Sequence, residues 1–172
     1  MRSTWTVATV AVLENRGGSS VLPRYRLTSR EKAHVTSALR DLLEFREEVL
    51  FAYLHGSFVN GSRFRDIDVA VYLDHGRSTR RASLQYQVTL AKDLSRALHL
   101  PVDVTVLNVA PLGLRHDAVS GRVLLCREDR TRVHFADGVC RHYEQIRKTA
   151  RHALFTLLWG HTTARRLTRS RQ

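Results

Sequence analysis

The chain has 172 residues, 43% of them hydrophobic, which suffices for one domain that buries about two-thirds of its unfolded surface and requires no second one. Its net charge of +12 comes from 28 basic against 16 acidic residues, but 25 of the basic ones are arginines spread along the chain, a compositional bias as much as a nucleic-acid footprint. No segment reaches transmembrane length, and neither Cys126 nor Cys140 belongs to a Cys-x-x-Cys or Cys/His ligand spacing, which favours buried thiols in a reducing cytoplasm over a disulfide or a zinc site.

In chain order, Met1 to Leu22 carries a short Val/Ala/Thr run and then Asn15-Arg16-Gly17-Gly18-Ser19-Ser20. Threonines interrupt the apolar part and no small-x-small cleavage site follows, so it reads as a flexible or weakly strand-forming extension over residues 1–26 rather than a signal peptide. Thr28-Ser29-Arg30-Glu31 is a capping box, and Val35, Ala38, Leu39, Leu42 and Leu43 follow at helical spacing to about Arg46. The apolar run Val49 to Leu54 predicts a buried strand leading into His55-Gly56-Ser57.

From Asp66 to Leu73 the residues alternate. Ile67, Val69, Val71 and Leu73 share one face, and Asp66, Asp68, Ala70 and Tyr72 share the other. Two carboxylates two residues apart on a strand start about 6.5 to 7 Å apart at their bases and can converge on divalent ions, although a bare Asp-x-Asp is as often just solvated at a strand's start. The preceding Gly56-Ser57 adds a place where backbone can approach a ligand closely, and a helix opening there would aim free N–H groups at phosphate oxygens.

Farther on, Asp74-His75-Gly76-Arg77-Ser78 reads as a polar loop, and Leu84, Val88, Ala91, Leu94 and Leu98 mark a helix stopped before Pro101. The strand Val102 to Leu107 carries Asp103 on the face opposite Val102, Val104 and Val106, so a neighbouring strand can bring it beside Asp66 and Asp68. A short helix to Ser120-Gly121 and a strand Val123 to Cys126 follow. Val139, Tyr143, Ile146, Ala150, Leu154 and Leu157 then set one long helix, or two, over Arg130 to about Trp159, with a basic disordered tail over residues 160–172. From Arg141 to Gln172 there are eight basic residues and one acid, Glu144, so the basic surface and the acidic centre lie in different places.

Gly56-Ser57, Gly61, Asp66-x-Asp68 and the later Asp103 together resemble the nucleotidyltransferase superfamily related to DNA polymerase β, and most closely its minimal nucleotidyltransferase (MNT) antitoxins, over roughly Thr28 to His152. The spacer from Ser57 to Asp66 is slightly shorter than the family's commonest form. The resemblance implies an α/β (α+β) fold, with a small mixed sheet flanked by helices and a long C-terminal helix, in a domain over residues 27–159. It also implies nucleotide binding by Gly56, Ser57 and Gly61, and two Mg²⁺ ions held by the catalytic residues Asp66, Asp68 and Asp103. The reaction implied is transfer of AMP from ATP to a tyrosine of a HEPN-domain RNase toxin in the cytoplasm, with no need of membrane or nucleic acid and with oligomeric assembly left open. On this view a bulky residue at Gly56 blocks the triphosphate with less effect on the metals.

Two other readings compete. One is nucleotide transfer to a small molecule such as an aminoglycoside, for which the chain has little room to add a substrate-binding domain. The other is a non-catalytic module that binds RNA or an acidic protein through its basic helix. Arg147 and His152 form an Arg-x4-His spacing like that of HEPN ribonucleases, but arginine is abundant here and the tyrosine that follows the histidine in those toxins is absent.

Overall fold

A computed structural model describes residues 11–13, 24–74 and 80–167. Most of Met1 to Leu22, the polar loop after Asp74 and the last five residues lie outside these. Within the N-terminal stretch, β1 (Ala11–Leu13) pairs antiparallel with β2 (Arg24–Arg26).

The capping box opens α1 (Ser29–Glu44). Glu31 N–H donates to Thr28 Oγ1 at 3.3 Å, and Thr28 N–H donates to Glu31 Oε2 at 2.7 Å. Val35, Leu39 and Leu43 form its buried stripe. Thr28→Ala should therefore cost about 1 kcal/mol, read as a fall of roughly 2–4 °C in a thermal melt.

Next come β3 (Val49–His55), the single-turn helix α2 (Gly56–Asn60), β4 (Ile67–Leu73), α3 (Arg80–Leu98) and β5 (Val102–Val106). The chain then continues through α4 (Leu112–Val119), β6 (Arg122–Cys126) and α5 (Asp129–Leu167). The four-stranded sheet has the order β5-β4-β3-β6, with β3 antiparallel to both neighbours and β4 parallel to β5 across the α3 crossover. This is the mixed sheet flanked by helices that the resemblance implies.

The sheet's two faces have different covers. Ile67, Val69, Val71, Leu73 and Leu54 pack with α1 and α3 in the main core, whereas Phe51, Tyr53, Ala70 and Tyr72 form a second cluster with Ala118 of α4 and Phe135 of α5. The period of two read for β4 is thus the division between two cores.

Three expectations are corrected. In α3, Leu90, Leu94 and Leu98 are buried, but Leu84 and Val88 are 62% and 50% exposed. The inward position one residue earlier belongs to Gln87, whose Oε1 accepts from the Val106 N–H at 2.9 Å, and this turns Leu84 and Val88 outward. Cys126 and Cys140 are free but exposed, the first at the end of β6 and the second next to buried Val139 in α5. Finally, α5 runs past Gly160 to Leu167, because a glycine inside a helix costs only about 1 kcal/mol against alanine and the helix propagates across it. No helix among the described residues is long and apolar enough to cross a membrane.

Candidate active site

The site lies where β3 ends and β4 begins. β3 delivers His55 to the N-cap of α2, and Gly56 turns the chain with φ +74°, in the left-handed region that favours glycine. A Cβ on Gly56 would overlap the Asp68 carboxylate, so the turn lies directly against that side chain. α2 has only five residues, too few for a useful macrodipole. What it offers an anion is its first amides and the exposed Ser57 hydroxyl.

Its far end is fixed. Gly61 N–H donates to Ser57 O at 2.8 Å, and Lys32 Nζ reaches from α1 to donate to Phe58 O at 2.6 Å and Gly61 O at 2.7 Å. Buried Phe58 meets Phe64 edge-on at 5.0 Å, and Phe64 stacks on Tyr25 at 5.7 Å. Tyr25 and Phe64 also exchange backbone hydrogen bonds of 2.7 and 3.1 Å, so β2 pins the loop that enters Asp66. Sequence reading missed Lys32 and Tyr25: an exposed-looking lysine on the polar side of α1 and a tyrosine in a presumed extension carry no local signal of these contacts.

The register assembles the acids. In the parallel pairing Asp68 sits opposite Asp103, and in the antiparallel pairing it sits opposite His55, giving a row His55, Asp68, Asp103 across three adjacent strands. Asp68 alternates with Ile67 and Val69, so it shares the face of Ala70 and Tyr72, which α4 and α5 cover farther along the strand. Asp66 is half-buried just before β4, and Asp103 is exposed. Burial raises the Asp68 carboxyl above its ordinary value; His55 opposes this, and the charges of Asp66 and Asp103 add to it.

Asp68 therefore feels both other carboxylates, yet among the described residues no three acids, histidines or cysteines are gathered closely enough to hold a metal as they stand. Like charges hold such a set apart until a cation compensates them. The donors are hard oxygens, suited to Mg²⁺ or Mn²⁺ rather than a thiophilic metal. Carboxylates beside a glycine turn with free amides can handle metal-bound phosphate.

The family profile described as "Polymerase beta, Nucleotidyltransferase" matches residues 37–130, more than half of the chain. The chain belongs to the polymerase β nucleotidyltransferase family. The matched segment of this nucleotidyltransferase contains Gly56, Ser57, Gly61, Asp66, Asp68 and Asp103.

Solved structures share the fold. One is the complex of tri-AMPylated HEPN toxin with MNT antitoxin from Shewanella oneidensis, at 21% identity and TM-score 0.56 over 74% of this chain and 98% of that one. Others are the toxin–antitoxin MntA–HepT, at 20% identity and TM-score 0.55 over 73% and 98%, and a toxin–antitoxin with AMP-PNP, at 23% identity and 0.56 over 72% and 98%. A search of curated proteins finds no significant match to this nucleotidyltransferase.

Proposed function

We propose that the chain is an antitoxin that transfers AMP from ATP to a tyrosine of a HEPN-domain toxin. The observation that carries the reading is the pairing of Asp68 with Asp103 across β4 and β5, with the Gly56 turn packed against Asp68. It is supported by solved structures of the same fold in which MNT antitoxins accompany HEPN toxins, one of them tri-AMPylated and one with AMP-PNP.

In this mechanism the amides and hydroxyl of Gly56 and Ser57 orient the triphosphate, with Gly61 closing the turn. Asp66, Asp68 and Asp103 would hold Mg²⁺, which when bound neutralises charge on the attacking and leaving oxygens. Asp103, the most exposed of the three, favours loss of the acceptor's phenolic proton. The tyrosine oxygen then bonds to the α-phosphorus, the bond to the next bridging oxygen breaks, and pyrophosphate leaves.

The surface offered to the toxin is the outer part of α5. That helix is about 58 Å long at 1.5 Å per residue. The face that carries buried Val139 continues as Ile146, Leu154 and Leu157, which are 51%, 57% and 70% exposed. Arg147, Lys148 and Arg151 flank it, with Arg147 paired to Glu144 at 3.2 Å. Arg147 of the Arg-x4-His spacing is thus a surface ion-pair partner on this helix. Such a stripe suits an amphipathic helix with acidic flanks.

The test is incubation with a HEPN-domain RNase toxin, ATP and Mg²⁺, followed by intact-mass measurement. Increments of one AMP on a toxin tyrosine are expected, and an unmodified toxin that keeps its RNase activity would refute the reading. Leu154→Glu should weaken toxin association at least tenfold, about 1.4 kcal/mol, while ATP binding to the isolated chain is unchanged in calorimetry.

A further inference from the structure

A cavity of about 520 Å³ lies between α1, α2 and the start of β6, lined by Lys32, Arg40 and Arg122, by the hydroxyls of Ser29, Thr36 and Ser37, and by an apolar wall of Leu54, Phe58 and Val59. It is separate from the row of acids. Leu54 belongs to the main core on the α1 side of the sheet, whereas Asp68 shares the face of Ala70 and Tyr72 on the other side. Among the described residues no acid lines it, so Lys32, Arg40 and Arg122 face one space without a counter-charge there.

These cations are only partly used. Arg40 Nε donates to Leu124 O at 2.9 Å, leaving its terminal nitrogens without a hydrogen bond among the described residues. The Arg122 guanidinium makes no hydrogen bond or ion pair among them, and its charge adds to burial in holding the Lys32 ammonium below its ordinary value. Lys32 spends two of its three donors on Phe58 O and Gly61 O. Guanidinium forks and a lysine converging on one cavity suit phosphate oxygens, and the volume is that of a small-ligand pocket.

We propose that this cavity is a second anion site, on the back of the sheet, for a small phosphorylated molecule. The site is independent of the adenylyl-transfer reading. Through Lys32 it adjoins the carbonyls that close α2, so an occupant drawing on that ammonium also touches the turn that carries Gly56 and Ser57.

The probe is inorganic pyrophosphate, titrated calorimetrically into the full chain in EDTA without ATP or toxin. Under these conditions the acids on the other face repel the anion, so binding there is disfavoured. One-to-one saturable binding is expected, weakened at least tenfold by Arg122→Gln, kept within about threefold by Arg122→Lys, and not weakened by Asp68→Asn. Amide shifts in NMR should centre on residues 29–40 and 122 and extend to Gly61. The inference is overturned if wild type does not bind, if Arg122→Gln binds as wild type does, or if the shifts centre on Asp68 and Asp103. Because the assay contains no metal, ATP or acceptor, its failure leaves the transfer reading standing.

Discussion

Asp68→Asn should lower AMP transfer by roughly 10³-fold or more, about 4 kcal/mol at 1.36 kcal/mol per decade. Asp68 sits at the centre of the site: it faces Asp103 on one side and His55 on the other, it senses Asp66, and Gly56 lies against it. An amide there keeps the shape and one oxygen but removes the charge that a divalent cation requires. Initial rates with saturating ATP and Mg²⁺ measure the effect, and a wild-type rate in the folded variant would sink the assignment.

The same substitution should leave the metal-free protein as stable as wild type, or more stable, at neutral pH. Burial, followed by the charges of Asp66 and Asp103 against the opposing pull of His55, raises the folded carboxyl above its unfolded value. A raised carboxyl favours the folded state only while it is protonated. That contribution is present below the unfolded value of roughly 3.9 and is lost as pH rises through the folded one. Asparagine has no charge to bury, so the variant's advantage should appear in urea melts at pH 7 in EDTA and vanish below the unfolded value. A variant markedly less stable at pH 7 would show that Asp68 is held by interactions its charge needs.

Much of this site was legible because it depends on period and register. Alternation over Asp66 to Leu73 and over Val102 to Val106 showed which face each acid takes, and the pairing of β4 with β5 then set Asp68 opposite Asp103. The capping box was equally legible, since it is a local exchange of hydrogen bonds between Thr28 and Glu31. What could not be read depends on contacts between distant segments. Lys32 reaches α2 across 26 residues of sequence, and Tyr25 pins Phe64 through a β-bridge that no pattern near either residue announces. The outward turn of Leu84 and Val88 had the same origin, since Gln87 takes the inward place only because Val106 at the far end of β5 presents an N–H. The two cysteines were misjudged because apolar neighbours in sequence say nothing about which side of a helix or strand end faces solvent.

Gly56→Val should abolish measurable ATP binding, and it should weaken metal binding too. The sequence suggested that the phosphate turn and the metal acids could be separated by a bulky residue at Gly56, but the packing removes that option. The first carbon of any side chain at Gly56 would overlap the Asp68 carboxylate. With φ at +74°, a β-branched residue also takes on strain of roughly 1–3 kcal/mol in a region L-residues rarely adopt. The chain can relieve both only by moving the turn away from β4 or by driving Asp68 out of its row with Asp103. Either movement harms both ligands. Ser57→Ala is the variant that separates them, since it keeps the backbone and Asp68 in place and removes only an exposed hydroxyl. It should weaken ATP by roughly tenfold to a hundredfold, the range of one hydrogen bond to a charged group, while Mn²⁺ affinity by electron paramagnetic resonance stays at the wild-type value. If Gly56→Val lost ATP but bound Mn²⁺ as wild type does, the turn and the acids would be independent, and the contact between Gly56 and Asp68 would have no part in the site.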